Sequence, residues 1–241
     1  MDSIIEVVRC FENSNIIHVD GVINPTNDIE IIELELIYAD LETVSKRRER
    51  LKKQLKADKS LIKEDLVLEK IEKALNEGKS ARSLELTEEE KDIIKSLSLL
   101  TLKPLMYVAN VDEETIQDVE KNENFKKVKQ YAESQNAKVI PICVKLEEEI
   151  SSIESEDERK EFLEMMGLDK SGLDKLIIAS YDILGLMSYL TVRRNRSKSM
   201  DYKKRDKSTK SGIKDTFRYR KRVYKSRNRI IVAITFFVVC I

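Results

Sequence analysis

Short apolar runs and helix-like spacings alternate along this chain, and their order predicts its fold. Residues 4–10, 105–109 and 138–144 are short runs rich in β-branched and other apolar side chains, which are typical of buried strands. Helical spacing of apolar residues occupies the stretches after the second strand, namely residues 118–136, 146–153, 156–166 and 173–184. Strands that alternate with helices predict an α/β fold with a parallel sheet.

A long helical segment, residues 28–103, separates the first two predicted strands. Asp28 is placed to cap a helix that begins at Ile29. Apolar positions spaced three or four residues apart then form a seam with one charged interruption: Leu34, Ile37, Leu41, Val44, Arg48, Leu51 and Leu55. After a polar break a second seam follows: Leu61, Leu68, Ile71 and Leu75. Two seams joined by a short break predict an antiparallel helical hairpin. Two ordinary surface helices packed on the sheet are the alternative.

Local signals mark where the elements of this segment stop and start. Gly78 is suited to ending the second helix. Thr87 followed by Glu90 has the spacing of a capping box before a third helix. Upstream, the turn pair Asp20-Gly21 predicts a loop after the first strand.

Charge divides the chain more sharply than its net value of zero suggests. Residues 1–191 contain 27 Lys and Arg against 41 Asp and Glu, whereas residues 192–241 contain 17 basic and 3 acidic residues. Such an asymmetry indicates separate parts with separate partners.

Cysteine and histidine usage argues against a disulfide framework or a zinc site. Cys10, Cys143 and Cys240 show no CxxC spacing, and His18 is the only histidine. A reducing compartment, the cytoplasm, is therefore expected. The apolar stretch at residues 230–241 is shorter than the roughly 20 residues that a membrane-spanning helix needs. His18 itself is interpreted as a loop or core residue.

The most informative motif follows the second strand. Ligands of doubly wound sheets bind at the carboxyl ends of the strands, and Asn110-Val111-Asp112-Glu113 lies there. An Asn followed three residues later by an acid is similar to the base-recognition motif of P-loop GTPases. In that motif the Asn positions a loop, and the acid accepts hydrogen bonds from the purine. Cys143 and Val144, after the next strand, are expected to supply backbone N–H groups. A turn with a helix cap remains the alternative interpretation.

Several strings in order along residues 1–191 resemble the YchF family of Obg-like ATPases. They are VVRCF at residues 7–11, HVDG at 18–21, DIEIIELELIYADLE at 28–42, SARSLEL at 80–86, KPLMYVANVDE at 103–113 and ICVKLE at 142–147. The resemblance implies part of an Obg-type G domain, a P-loop NTPase, in residues 1–27 and 104–191, with a coiled-coil insertion at residues 28–103.

The same resemblance implies a function and its cofactors. Asn110, Val111 and Glu113 would belong to the nucleotide-base site, with Glu113 where most GTPases have Asp, a departure that accompanies a preference for ATP in this family. The implied ligands are ATP or GTP with Mg²⁺, and the implied partner is the ribosome, through its large subunit, with RNA as a further possibility.

The phosphate-binding part of that fold is missing from the sequence. No GxxxxGK[ST] string occurs, and no magnesium-binding acid or switch segment precedes the first strand. The resemblance therefore implies an N-terminally shortened chain that does not hydrolyse nucleotide by itself and binds it poorly.

The basic tail, residues 192–241, lacks the alternation expected of the small β-rich TGS domain that follows in the family. Three explanations are open: an RNA-binding arm, a disordered solvated charge run, or the TGS domain translated in a shifted frame. The frameshift is favoured because Met200-Asp201 is encoded ATG-GA, so the +1 frame contains a Trp codon, whereas the chain has no Trp.

Two functions follow from these observations. The first is a ribosome-associated nucleotide hydrolase, which the intact family member would be. The second is a non-catalytic module in which the helical hairpin and the basic tail contact RNA or the ribosome.

Overall fold

The computed structural model describes residues 2–12, 23–55, 58–193, 196–203 and 238–240. The loop containing His18 and the Asp20-Gly21 turn lies outside these residues, as does most of the basic tail. The strands are β1 (Ile4–Arg9), β2 (Leu105–Asn110), β3 (Lys138–Ile142), β4 (Leu186–Arg193), β5 (Arg196–Lys203) and β6 (Val238–Cys240). The helices are α1 (Pro25–Gln54), α2 (Ile62–Asn76), α3 (Glu88–Ile94), α4 (Glu123–Ser134), α5 (Val144–Ser152), α6 (Glu156–Met165) and α7 (Gly172–Leu184).

The main sheet is parallel, as the strand–helix alternation predicted. Its order is β3-β2-β1-β6, and every neighbouring pair of strands runs in the same direction. One face packs on α4 and the start of α1, through residues such as Ile4, Val8, Ile29 and Phe125. The other face packs on α7, where Met106 and Val108 meet Leu176. Both faces of β1 and β2 are thus covered, which explains their nearly continuous apolar sequence.

Helices α1 and α2 form the helical hairpin, which the pattern of apolar residues predicted. Ile37, Val44 and Leu51 of α1 are buried against Leu68 and Ile71 of α2. The helices are antiparallel, because Arg47 pairs with Glu64 whereas Ser45, earlier on α1, bonds to Glu72, later on α2. That this hairpin is a coiled coil stays a prediction.

Arg48, the charged interruption in the seam, is satisfied by acids of the opposite helix. Its guanidinium pairs with Asp65 at 3.2 Å and with Glu72. A third carboxylate, of Glu69, lies 3.8 Å away. A half-buried Arg with such partners can replace an apolar seam residue because its aliphatic stem packs while its charge is compensated.

Two details of α1 differ from the sequence prediction. The helix begins at Pro25, not at Ile29, and Asp28 lies buried in its first turn instead of capping it. Proline suits the first helical position because that N–H has no intrahelical partner. Leu34 is 43% exposed, so the buried seam starts at Ile37. The start of α1 packs on the sheet and its later turns form the helical hairpin, so one continuous helix crosses the predicted domain boundary.

Smaller differences concern helix starts and the tail. The capping box of Thr87 and Glu90 forms as predicted. Helix α4 begins at Glu123 and not at Asp118, because the Asn122 side chain caps it and a short 3₁₀ turn precedes it. In the tail, Arg196–Lys203 pairs with β4 as an antiparallel strand, and the three explanations of the tail stay open. A strand there is possible because backbone pairing with β4 does not require apolar side chains. The predicted domain boundaries otherwise stay predictions.

Among the described residues, no helix combines the length and apolar character needed to cross a bilayer.

Candidate functional site

The carboxyl ends of three strands meet in one row at the edge of the sheet. Arg9 of β1 is in register with Asn110 of β2, which is in register with Ile142 of β3. Two backbone hydrogen bonds continue past the strand ends: the Cys10 N–H donates to the Asn110 carbonyl at 2.8 Å, and the Val111 N–H donates to the Ile142 carbonyl at 2.9 Å. The residues that follow these strands are therefore held at fixed positions on one edge, as the sequence predicted.

Asn110 joins the ends of β2 and β3 through its side chain. Its Oδ1 accepts a hydrogen bond from the backbone N–H of Val144 at 3.2 Å. The amide is half-buried, and it is the last residue of β2. Asn110 thus ties the end of β2 to the segment after β3, and its role in a nucleotide-base site stays a prediction.

The two acids that follow Asn110 have different surroundings. Asp112 Oδ1 accepts hydrogen bonds from the Thr115 N–H at 2.8 Å and from the Thr115 hydroxyl at 2.6 Å, so this carboxylate stabilises the turn. Glu113 makes an ion pair with Lys145, whose Nζ lies 2.9 Å from Oε1. The contact with the Glu113 carboxylate raises the pKa of Lys145. The turn alternative therefore applies to Asp112, and Glu113 remains at the rim.

The other predicted site residues divide into backbone and side-chain contributors. Val111 and Cys143 are buried, so their side chains face the core and only their backbone groups lie near the edge. Burial raises the pKa of the Cys143 thiol. Val144 is exposed, but it is the first residue of α5 and not part of a loop, since β3 ends at Ile142. The predicted small loop after β3 is reduced to Cys143, and the edge there is a helix N-terminus.

Sequence reasoning missed the role of Glu147, a residue of α5, in holding the start of α7. Its two carboxylate oxygens accept hydrogen bonds from the N–H groups of Gly172 at 2.6 Å and Leu173 at 3.1 Å, the first residues of α7. A Cβ at position 172 would lie 2.9 Å from both Glu147 Oε1 and Ile142 Cγ2, so only glycine allows this approach. Ser171, which caps α7 through the Asp174 N–H, was the only local signal for this junction.

A cavity of about 430 Å³ opens beside the edge, on the α7 face of the sheet. Its floor is apolar and includes Ile5, Val7 and Val108, and Val144 and Glu147 form part of its rim. No cluster of three or more metal-ligating side chains occurs among the residues that the structure describes. Asn110, Glu113 and Lys145 do not line this cavity. The edge itself therefore offers one amide, one carboxylate and one ammonium.

Comparison with known proteins identifies several relatives. No protein-family model matches the chain. The chain is 47% identical over 205 residues to the ribosome-binding ATPase YchF of Bacillus subtilis (strain 168), which covers 85% of this chain and 56% of that protein. It is 43% identical over 191 residues to the ribosome-binding ATPase YchF of Escherichia coli O157:H7, covering 79% of this chain and 52% of that protein.

A solved structure has the same fold. The YchF GTPase of Schizosaccharomyces pombe superposes with a TM-score of 0.74 at 32% identity, covering 87% of this chain and 57% of that one. The predicted fold class, an α/β parallel sheet of the Obg-type P-loop NTPases, is confirmed by this match. The chain spans about half the length of the relatives it matches.

Proposed function

Because the chain belongs over most of its length to the YchF family, we propose that it is part of a ribosome-associated protein of the cytoplasm that binds a purine nucleoside triphosphate. The base lies at the edge formed by Asn110, Glu113 and the start of α5. The observation that carries this proposal is the hydrogen bond from the Val144 N–H to Asn110 Oδ1, which fixes that edge. Glu113 stands beside it, at a position where its carboxylate can reach the base.

The residues of this edge match the chemistry of a purine. Glu113 accepts a hydrogen bond from an exocyclic amino group of the base, and N–H groups at the start of α5 donate to ring acceptors. Asn110 acts indirectly, because its side chain holds the start of α5 in place.

The phosphate groups and Mg²⁺ need residues that this edge does not supply. The sequence contains no GxxxxGK[ST] string, and such a loop is what places backbone amides and a Lys around the phosphates. Mg²⁺, when bound with the nucleotide, neutralises the charge of the phosphate oxygens. We therefore propose that this chain alone binds nucleotide only through its base, at about millimolar Kd, and does not hydrolyse it.

Titration with labelled ATP tests the nucleotide site. We expect the chain to bind with a Kd of about 1 mM, and Glu113→Gln to weaken binding about tenfold, because hydrogen bonds to charged acceptors contribute about 1.5–3 kcal/mol. Glu114→Gln is the matched control, since Glu114 is an adjacent acid that is exposed. Chemical shifts of backbone amides at residues 110–114 and 143–145 report the binding.

Two results would contradict this proposal in different ways. Micromolar binding of ATP by the chain alone would show that it holds the phosphates after all. Equal effects of the two Gln variants would remove Glu113 from the site.

We propose that the chain contacts the ribosome through the end of the helical hairpin where α1 meets α2, because basic residues are concentrated there. We define the hairpin tip as residues 46–63, which contain nine Lys and Arg but two acids. Arg47 and Arg48 are held by acids of α2. Exposed cations without an ion pair to any described carboxylate are Arg50, Lys52, Lys53, Lys59 and Lys63. Such a cluster in a chain of zero net charge suits the phosphate backbone of ribosomal RNA.

If the hairpin tip binds the ribosome, the interaction should depend on its positive charges. Replacing Arg50, Lys52 and Lys53 with Gln should reduce cosedimentation with purified ribosomes about tenfold or more at moderate salt, because each lost phosphate contact weakens binding. The remaining binding should also depend less on salt concentration. The control is a triple Gln variant of the exposed lysines Lys121, Lys127 and Lys160, which lie away from the helical hairpin. Equal losses in the two variants would mean that net charge alone drives binding.

A second candidate partner surface is the basic tail, residues 192–241, and the same assay separates it from the hairpin tip. Deletion of that segment should leave the ribosome interaction largely in place if the hairpin tip carries it. Salt-sensitive RNA binding that disappears with the deletion would instead support the tail as an RNA-binding arm.

A further inference from the structure

Among the described residues, only Lys145 forms an ion pair with Glu113, the acid of the base-recognition motif. Its ammonium lies 2.9 Å from Glu113 Oε1. The side chain of Lys145 is 71% exposed. After the contact with Glu113, the nearby charge of Glu149 also raises the pKa of Lys145. Oε1 is closed to solvent and accepts no hydrogen bond from the described residues, so Lys145 contacts it as an ion pair without hydrogen-bond geometry. The Glu113 side chain as a whole is 36% exposed, which leaves Oε2 as the oxygen that a ligand can reach.

The number of free carboxylate oxygens decides which purine fits. The Watson–Crick edge of guanine presents two adjacent donors, the ring N1–H and the amino group at C2, and a carboxylate binds both when both of its oxygens are free. The corresponding edge of adenine presents a single donor, the amino group at C6, next to the acceptor N1. One free oxygen satisfies adenine completely but leaves one guanine donor without a partner.

We propose that Lys145 is a specificity-determining residue that favours adenine by occupying one oxygen of Glu113. This inference rests on the proposed nucleotide site and adds the group that sets its selectivity. In the proposed complex Lys145 stays beside Oε1, and Oε2 accepts a hydrogen bond from the amino group of adenine. Guanine would have to displace Lys145 or bury a donor without a partner, and either is unfavourable.

The ion pair with Lys145 also explains how Glu113 can bind a base although two other acids are adjacent to it in the sequence. Asp112 precedes Glu113, and Glu114 follows it. Three consecutive carboxylates would repel the negatively charged phosphates of any nucleotide. Lys145 compensates one of these charges next to the place where the base lies, and Asp112 is engaged with Thr115.

Titration of the wild-type chain and Lys145→Met with adenosine and with guanosine tests the proposal. Nucleosides are used because they report the base site without the phosphates. Met keeps the length and much of the volume of Lys but removes the charge. We expect the wild-type chain to prefer adenosine, and Lys145→Met to bind guanosine about five- to tenfold more tightly, with adenosine affinity changed about twofold or less.

Two further variants distinguish selectivity from a general charge effect. Lys145→Arg keeps a cation on Glu113 and should retain the preference for adenosine. Lys175→Met removes an exposed lysine of α7 and should leave both affinities unchanged. An unaltered ratio of the two affinities in Lys145→Met overturns the role of Lys145 while leaving the nucleotide site intact. A wild-type chain that binds neither nucleoside overturns the proposed function itself, and this inference with it.

Discussion

Replacing Asp40 with Ala should lower the free energy of unfolding by about 3–5 kcal/mol. Asp40 lies on α1, is 2% exposed, and accepts three hydrogen bonds from the segment that returns from the helical hairpin to the sheet. The donors are the Leu100 N–H at 2.8 Å, the Thr101 N–H at 2.7 Å and the Thr101 hydroxyl at 2.6 Å. Alanine leaves these donors without a partner in a region closed to water, and each unsatisfied group costs about 1–3 kcal/mol.

Urea denaturation followed by circular dichroism measures this loss as a shift of the midpoint at constant slope. Glu42→Ala is the matched control on the same helix, because Glu42 is exposed and its one described ion pair, with Lys46, is a solvent-exposed contact that contributes little to stability. Thr101→Val removes one of the three donors and also the acceptor of the buried Ala81 N–H, so it should give an intermediate loss of about 2 kcal/mol. The interpretation is wrong if Asp40→Ala and Glu42→Ala destabilise the chain equally.

Asp40 also shows which parts of this fold were open to prediction from sequence. The seams of the helical hairpin were predictable because apolar residues at helical spacing determine which face of a helix is buried. The capping box at Thr87 was predictable because both of its partners lie within four residues. Asp40 gives no such signal, because its partners are 60 and 61 residues away. In the sequence it is one more acid on a charged helix.

In the candidate site, too, the features set by local sequence were predictable, and the contacts between different elements were not. The positions of Asn110 and Glu113 followed from the strand that precedes them, since parallel strands present their carboxyl ends at one edge. The contacts of Lys145 and Glu147 did not follow, because each is made with a residue of another element. The start of α1 was misplaced for a local reason: Asp28 is a good capping residue, but Pro25 allows the helix to begin one turn earlier.

A buried carboxyl group in the middle of β1 is the second feature with a large expected effect. Glu6 is 1% exposed, and no described side chain donates a hydrogen bond to its Oε1. Burial, followed by the nearby charge of Glu33, raises the pKa of Glu6 to about 8. The titratable and charged groups around it come from α1, the 3₁₀ turn at residues 81–83, β2 and α4: Asp28, Glu33, Arg82, Tyr107 and Tyr131.

The stability of the chain should therefore fall as the pH rises from about 4.5, the ordinary pKa of Glu, towards 8. Below this window Glu6 is protonated in both the folded and the unfolded chain. Within it the unfolded chain releases the proton while the folded chain retains it, so each pH unit favours unfolding by about 1.4 kcal/mol. Between pH 5 and pH 8 the contribution of Glu6 amounts to roughly 3 kcal/mol.

Glu6→Gln should remove this contribution, because Gln has the shape of the protonated acid and does not titrate. We expect the variant to be stabilised relative to the wild-type chain by roughly 3 kcal/mol more at pH 8 than at pH 5, as measured by urea denaturation at both values. Comparing the difference at two pH values cancels the titration of groups that both chains share. Glu35→Gln, an exposed position on α1, should show the same difference at both pH values. If Glu6→Gln behaves like Glu35→Gln, Glu6 is ionised in the folded chain, and a cation or water must then reach it between β1 and α1.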